Sequence, residues 1–240
     1  MRFYTNVQMV GDNFLVRGYE DGKHFATREK FYPTLFVDSK RKTKYKTLDG
    51  SPVEPIEPGT VRDCREFIKK YNDVENFNVY GNERFIYQYI SDKYPETELK
   101  FDIEQIKLTT IDIEVKSEYG FPDVESCAEE ILLITLQDYT TKQIRTWGLG
   151  AFNNKQENVI YKSFKTEYEL LTDFINWWMI EDNTPEVITG WNSKLYDIPY
   201  LCRRIDRILG EKLKKRMSPW GLVTEEETFI AGRKHISYDI

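Results

Sequence analysis

The segment Leu108-Thr-Thr-Ile-Asp-Ile-Glu-Val115 constrains this chain more than any other. Strand side chains alternate between faces, so Ile111, Ile113 and Val115 point one way and Asp112 and Glu114 the other. So apolar a face asks for burial, which makes this a central strand rather than an edge. Two carboxylates on one face repel each other when ionised, and burial strengthens the repulsion. A divalent cation is the economical compensation, because hard cations take carboxylate oxygens. Taken alone, Asp-x-Glu on a strand equally fits a solvated acidic face.

A second segment narrows the choice. Thr189-Gly-Trp-Asn-Ser-Lys-Leu-Tyr-Asp-Ile-Pro-Tyr200 reads as the end of a short apolar strand (Glu186–Gly190), a turn, and a helix over 198–209. Asp197 stands where an N-cap belongs, and Pro199 sits in the first turn, where proline is tolerated. A side chain at such a junction can also face the ends of neighbouring strands, so capping and a functional role are compatible. Asn192 by itself is an ordinary turn residue.

The remaining sequence divides near 103–107, giving parts 1–104 and 105–240. In the first, residues 2–37 alternate like strands, with a hairpin signal at Asp21-Gly22. Thr60 caps a helix whose Val61, Cys64, Phe67, Ile68 and Tyr71 share one face. Residues 77–103 read as short strands with a turn at Gly81-Asn82. In the second part, Lys107–Val115, Ile131–Asp138 and Gln143–Leu149 are expected strands. Thr166-Glu-Tyr-Glu169 is a capping box opening a helix that buries Leu170, Leu171, Phe174, Ile175 and Trp178. Residues 223–238 read as a hairpin around Ala231-Gly232. Adjacent strands followed by helix–strand–helix give an α/β (α+β) class, a mixed sheet with helices on its faces, preceded by a smaller β-rich domain.

With 16 Tyr and 14 Phe in 240 residues, the chain is too aromatic to be disordered. Its net charge of −6 does not favour indiscriminate DNA binding. Two basic clusters stand out locally. One is Lys40, Arg41, Lys42, Lys44 and Lys46; the other is Arg203, Arg204, Arg207, Lys212, Lys214, Lys215 and Arg216. Each is read as a solvated face or as a phosphate or RNA contact. Cys64, Cys127 and Cys202 are widely spaced, without metal-ligand spacing, and read as reduced thiols of a cytosolic protein. No signal core and no membrane-length apolar run occurs, so a soluble protein without membrane contact is expected.

Ile111-Asp-Ile-Glu114 followed some 80 residues later by Asn192-x-x-x-Tyr196-Asp197 resembles the first two exonuclease motifs of family B DNA polymerases. Asp112-Ile-Glu-Val leading to Tyr119-Gly-Phe-Pro122, and Thr189-Gly-Trp-Asn192 leading to Asp197-Ile-Pro-Tyr200, sharpen the likeness to T-even-type bacteriophage polymerases. Tyr32-Pro-Thr-Leu-Phe36 and the 223–238 hairpin are also similar. The likeness spans nearly the whole chain and is least distinctive over 38–104.

The resemblance implies an N-terminal domain followed by an RNase H-like exonuclease domain that removes mispaired 3′ nucleotides from single-stranded DNA with two Mg²⁺ or Mn²⁺ ions. It implies that Asp112 bridges the ions, that Glu114 binds the nucleophile-side ion, and that Asp197 supports the other. Asn192 would back the ligands or touch the substrate strand. Phe121 would stack on the frayed base; its residue-level alternative is a core Phe beside Pro122. Arg233 and Lys234, at the hairpin tip with Gly232, would touch DNA where primer parts from template.

Implied partners are primer–template DNA, a C-terminal polymerase part, a sliding clamp and RNA, in the host cytoplasm. The family's third motif, Tyr-x-x-x-Asp on a helix later in the chain than the second motif, does not occur after Asp197 in this sequence. A truncated or split polymerase, with little or no activity alone, is the expectation. An unrelated RNase H-like nuclease would instead need a third carboxylate from Glu118, Asp123 or Asp138. A further alternative is a nucleic-acid-binding or structural module without activity.

Overall fold

Asp21 and Gly22 both take positive φ, 49° and 78°, which is the backbone that a two-residue hairpin turn requires. They join β2 (Asn13–Glu20) to β3 (Lys23–Lys30), and β1 (Arg2–Val10) pairs antiparallel with β2 to complete a three-stranded sheet. A computed structural model describes residues 1–81, 83–95, 100–118 and 120–240 of the chain, which divides into two units, Met1–Gln105 and Ile106–Ile240.

The first unit continues with β4 (Leu35–Asp38), β5 (Tyr45–Lys46), β6 (Pro52–Ile56), α1 (Val61–Tyr71), β7 (Val79–Tyr80) and α2 (Phe85–Lys93). The four short strands form a second sheet in the order β5-β6-β4-β7. Thr60 caps α1 in a reciprocal box with Asp63. Phe14, Val16, Phe31, Leu35, Val61, Cys64, Phe85 and Tyr89 form the core. Here the structure corrects the sequence expectation. Phe85-Ile-Tyr-Gln-Tyr-Ile is helix, not strand, because Phe85 and Tyr89, four apart, bury one helical stripe against Phe14 and Phe31. The turn expected at Gly81-Asn82 lies partly outside the described residues.

The second unit is built on β8 (Leu108–Val115), β9 (Ile131–Asp138), β10 (Ile144–Leu149), β11 (Val159–Phe164), α3 (Glu167–Trp178), β12 (Val187–Thr189), α4 (Asp197–Leu209), α5 (Glu211–Lys214), a 3₁₀ turn at Lys215–Met217, β13 (Thr224–Ile230) and β14 (Arg233–Asp239). The sheet order is β11-β10-β9-β8-β12. β8, β9 and β10 run antiparallel to their neighbours among themselves, whereas β11 joins β10 and β12 joins β8 in parallel, so the sheet is mixed. Ile113, Ile134 and Trp147 make one cross-strand row. They share a single core with Leu170, Leu171, Phe174, Ile175 and Trp178 of α3 and Ile198, Leu201, Cys202 and Ile205 of α4. Both long helices thus pack with the isoleucine face of β8, and the opposite face is left to Asp112 and Glu114. Thr166 and Glu169 form the box that starts α3, worth about 1 kcal/mol. β13 and β14 form the two-stranded hairpin. No helix among the described residues is long and apolar enough to cross a membrane.

Candidate functional site

β12 is only three residues long, and its pairing with β8 stops at Thr189 opposite Thr110. Gly190 follows, and a Cβ there would stand 2.5 Å from the Ile111 carbonyl oxygen, so only glycine permits the close approach. Beyond Thr110 the edge of β8 therefore lacks a strand partner on that side. The Asp197 carboxylate takes the place of one: its Oδ1 accepts the Ile113 N–H at 3.0 Å. This corrects the capping expectation. Tyr196 occupies the N-cap position of α4 without a side-chain bond, and Asp197 is the first helical residue, its carboxylate turned to the sheet.

Asp197 is only 3% exposed. Burial raises its pKa above the ordinary 3.8; the Ile113 and Asp197 N–H groups oppose this, and the charges of Asp112 and Glu114 add to it. The charges of two of the acids named from sequence thus reach the third, Asp197. The three do not yet form a cage: among the described residues no three His, Cys, Asp or Glu side chains are placed to hold an ion together. Asp112 and Glu114 are exposed on their face of β8, while Asp197 lies buried at its edge. Leu132 is an extra residue in β9, between the pairs Glu114↔Leu133 and Val115↔Ile131, and this bulge falls beside Glu114. Bulges of this kind re-aim side chains. The three alternative carboxylates are engaged elsewhere: Glu118 with Lys116, Asp123 with the Ser126 N–H, and Asp138 with the Thr141 N–H.

Phe121 is 81% exposed, which removes the core alternative. Its ring lies 4.7 Å from that of Tyr196, the residue before Asp197. Burial pushes the Tyr196 hydroxyl up to about 12, with Asp197 next in effect. Tyr119 lies outside the described residues. Asn192 takes φ 60° and its carbonyl accepts the N–H groups of Leu195 and Tyr196, so its visible work is to turn the chain into α4. Trp191, 94% exposed in the same turn, gives no sign in the sequence pattern, where tryptophan reads as core.

The Arg233 side chain lies outside the described residues. Lys234 pairs with Glu227 at 2.7 Å and Glu125 at 3.1 Å, so its ammonium is committed to carboxylates. The second basic cluster is divided: Arg207, Lys212, Lys215 and Arg216 are exposed, whereas Arg203, Arg204 and Lys214 brace the fold. Arg203 binds Glu225, Tyr238 and the Glu125 carbonyl; Arg204 binds Glu167; Lys214 binds Asp206. The Lys40–Lys46 cations, by contrast, are all exposed. Cys64, Cys127 and Cys202 are free and buried, and burial pushes their thiols up to about 11, 11 and 12. They stay protonated and unreactive at neutral pH.

Residues 60–239 match the family described as DNA polymerase family B, exonuclease domain, and the chain belongs to that family. Among relatives, the DNA-directed DNA polymerase of Escherichia phage RB69 is 31% identical over 90% of this chain. That of Enterobacteria phage T4 is 31% identical over 92%. The chain spans 27% of the length of each phage protein. The DNA polymerase catalytic subunit of Human herpesvirus 6A (strain Uganda-1102) is 35% identical over 41% of this chain and 10% of its own length.

Proposed function

We propose that Ile106–Ile240 is the RNase H-like 3′–5′ exonuclease portion of a replicative phage DNA polymerase, and Met1–Gln105 its N-terminal domain. The reaction would be hydrolysis of the last phosphodiester at a mispaired 3′ end of DNA, completed by the rest of the polymerase. The observation that carries this is Asp197: a buried carboxylate, bonded to Ile113, on which the charges of Asp112 and Glu114 both act.

The donor set fits Mg²⁺ or Mn²⁺ in chemistry. Three carboxylates offer hard oxygens, and Oδ1 of Asp197 accepts the Ile113 N–H. Asp112, Glu114 and Asp197 are the residues that would hold two such ions, which when bound supply the positive charge that a phosphodiester transition state needs. Without that charge three acids would repel the substrate. The bond from Ile113 fixes the Asp197 carboxylate before substrate arrives. Phe121, exposed and backed by Tyr196, offers a ring on which an unpaired base stacks for about 1–3 kcal/mol whatever its identity. Asn192 holds the turn that delivers Asp197. With Lys234 committed, DNA contact at the hairpin would fall to Arg233 and the tip.

The test is a 3′-labelled single-stranded oligonucleotide with Mg²⁺, incubated with this chain alone and with the remaining polymerase polypeptide added. Trimming that rises on addition and disappears in Asp112→Ala is expected. Absence of trimming in every combination would reject the assignment.

A second reading concerns the first unit. Lys40, Arg41, Lys42, Lys44 and Lys46 are exposed and make no ion pair among the described residues, which suits a phosphate backbone of RNA or single-stranded DNA. Filter binding across a salt series, with these residues neutralised in pairs, tests it; unchanged RNA affinity rejects the patch. A sliding clamp remains a partner proposed from the family alone.

A further inference from the structure

Asp197 and Arg204 stand seven residues apart in α4, two turns, and so share one helical face. Both are buried, Arg204 at 5% exposure. Arg204 Nε and Nη2 donate to Oε1 and Oε2 of Glu167, each at 2.6 Å. Its Nη1 donates to the carbonyls of Cys127 and Ala128 at 3.1 Å. Glu167 opens α3, and its Oε1 also accepts the N–H of Ile131 at 2.9 Å. Ile131 begins β9 and pairs with Val115, across the bulge that lies beside Glu114. Hydrogen bonds, completed by the strand pairing of Ile131 with Val115, therefore link the helix carrying Asp197 to the strand end carrying Glu114.

Stability alone does not call for this arrangement, since an apolar pair of similar volume often holds a core as well or better. What an ion pair adds is direction: two parallel bonds fix both the position and the orientation of a guanidinium against a carboxylate. We infer that Arg204 and Glu167 are positioning residues of the acidic site, setting where the Asp197 carboxylate stands relative to the Ile113 N–H and to Glu114. For what the acids do, the inference rests on the nuclease reading. For how they are held, it rests on those hydrogen bonds and that strand pairing alone.

Amide hydrogen exchange on the whole 240-residue chain reads the held bond directly. In Arg204→Lys, which keeps the charge and loses the fork, the Ile113 amide is expected to exchange at least tenfold faster. The Phe174 amide in the core of α3 should change less than threefold. Arg207→Lys, one turn further along and bonded only to the Ser126 and Cys127 carbonyls, should leave Ile113 within twofold of wild type. Terbium(III) luminescence titration supplies the second readout: an affinity that Asp112→Asn diminishes should fall about tenfold in Arg204→Lys. If Arg204→Lys does not fold, Glu167→Gln, equal in shape and uncharged, is measured in the same way.

Unchanged Ile113 exchange, or uniform acceleration of all core amides, overturns the positioning role. Faster Ile113 exchange with unchanged terbium affinity overturns its link to the acidic site. Terbium binding that is absent from wild type, or indifferent to Asp112→Asn, overturns the nuclease reading and leaves the exchange result to decide the brace.

Discussion

Asp197 carries two opposed energies, and a pair of substitutions separates them. Asp197→Asn removes the buried charge and keeps an oxygen that can accept the Ile113 N–H; Asp197→Ala removes both. Ile113 is buried, and no strand replaces the carboxylate at that point of β8. The alanine variant therefore leaves a buried N–H without a partner, which costs about 1–3 kcal/mol. For a unit of this size each kcal/mol moves the thermal midpoint by about 4 °C, so Asp197→Ala should melt about 4–12 °C below Asp197→Asn. Against wild type at pH 7, Asp197→Asn should be no less stable, because it relieves a carboxylate that burial and two like charges disfavour.

The pH dependence has a definite sign. The folded pKa of Asp197 lies above its unfolded value, so between the two values the native chain binds the extra proton. The contribution of this group is most favourable below about 3.8, falls as pH rises through the folded value, and is level above it. Asp197→Asn should lack that fall. Urea unfolding of wild type and both variants across pH 4–8 measures all three quantities. Equal stability of the alanine and asparagine variants would refute the view that Asp197 completes the β8 ladder.

Gly190→Ala sets a Cβ 2.5 Å from the Ile111 carbonyl, a backbone atom that cannot step aside. A loss of about 1–3 kcal/mol in urea unfolding is expected, and a loss under about 0.5 would mean that β12 shifts freely. Phe121→Ala should leave unfolding within about 0.5 kcal/mol while weakening binding of a single-stranded oligonucleotide by about 1–3 kcal/mol in fluorescence anisotropy. A stability loss without a binding loss would return Phe121 to the core. Arg204→Met strands buried Glu167 and should cost about 3–5 kcal/mol, whereas Glu167→Met with Arg204→Met should recover most of it. Calorimetric midpoints of the single and double variants decide between them.

Periodicity carried the second unit well where each residue answers to its own strand or helix. The alternation of Ile111, Asp112, Ile113 and Glu114 is the alternation of burial along β8, and the Thr166–Glu169 box does begin α3. It failed where distant partners decide. Aromatic and β-branched residues over 85–90 look strand-like, and only the stacking of Tyr89 on Phe14, far away in sequence, makes helix the better use of them. β11 alternates weakly because it is the partly exposed parallel edge beside β10. Arg203, Arg204 and Lys234 look like DNA-facing charge because nothing local reveals Glu225, Glu167 or Glu125 waiting across the fold. The same limit hides the turn of Asp197 away from its own helix and toward Ile113.

That turn is the most telling feature of the second unit. Two more residues of β12 would satisfy Ile113 with an ordinary backbone bond, at no cost in buried charge. Instead the strand stops after Thr189, Gly190 lets the chain pass tight against Ile111, and an acid is brought in from α4. A carboxylate is the worse ladder partner for stability, since burial and the charges of Asp112 and Glu114 all work against it. Local rules broken without a compensating gain in the fold mark places where function sets the terms. On the nuclease reading proposed above, the gain is a negative charge fixed in position at the edge of β8, within reach of the charges of Asp112 and Glu114. On that reading a divalent ion would meet the need, and a lysine in its place would quench the site. Hence Asp197→Asn is expected to preserve the fold and abolish cation binding together, the one outcome that a purely structural Asp197 would not produce.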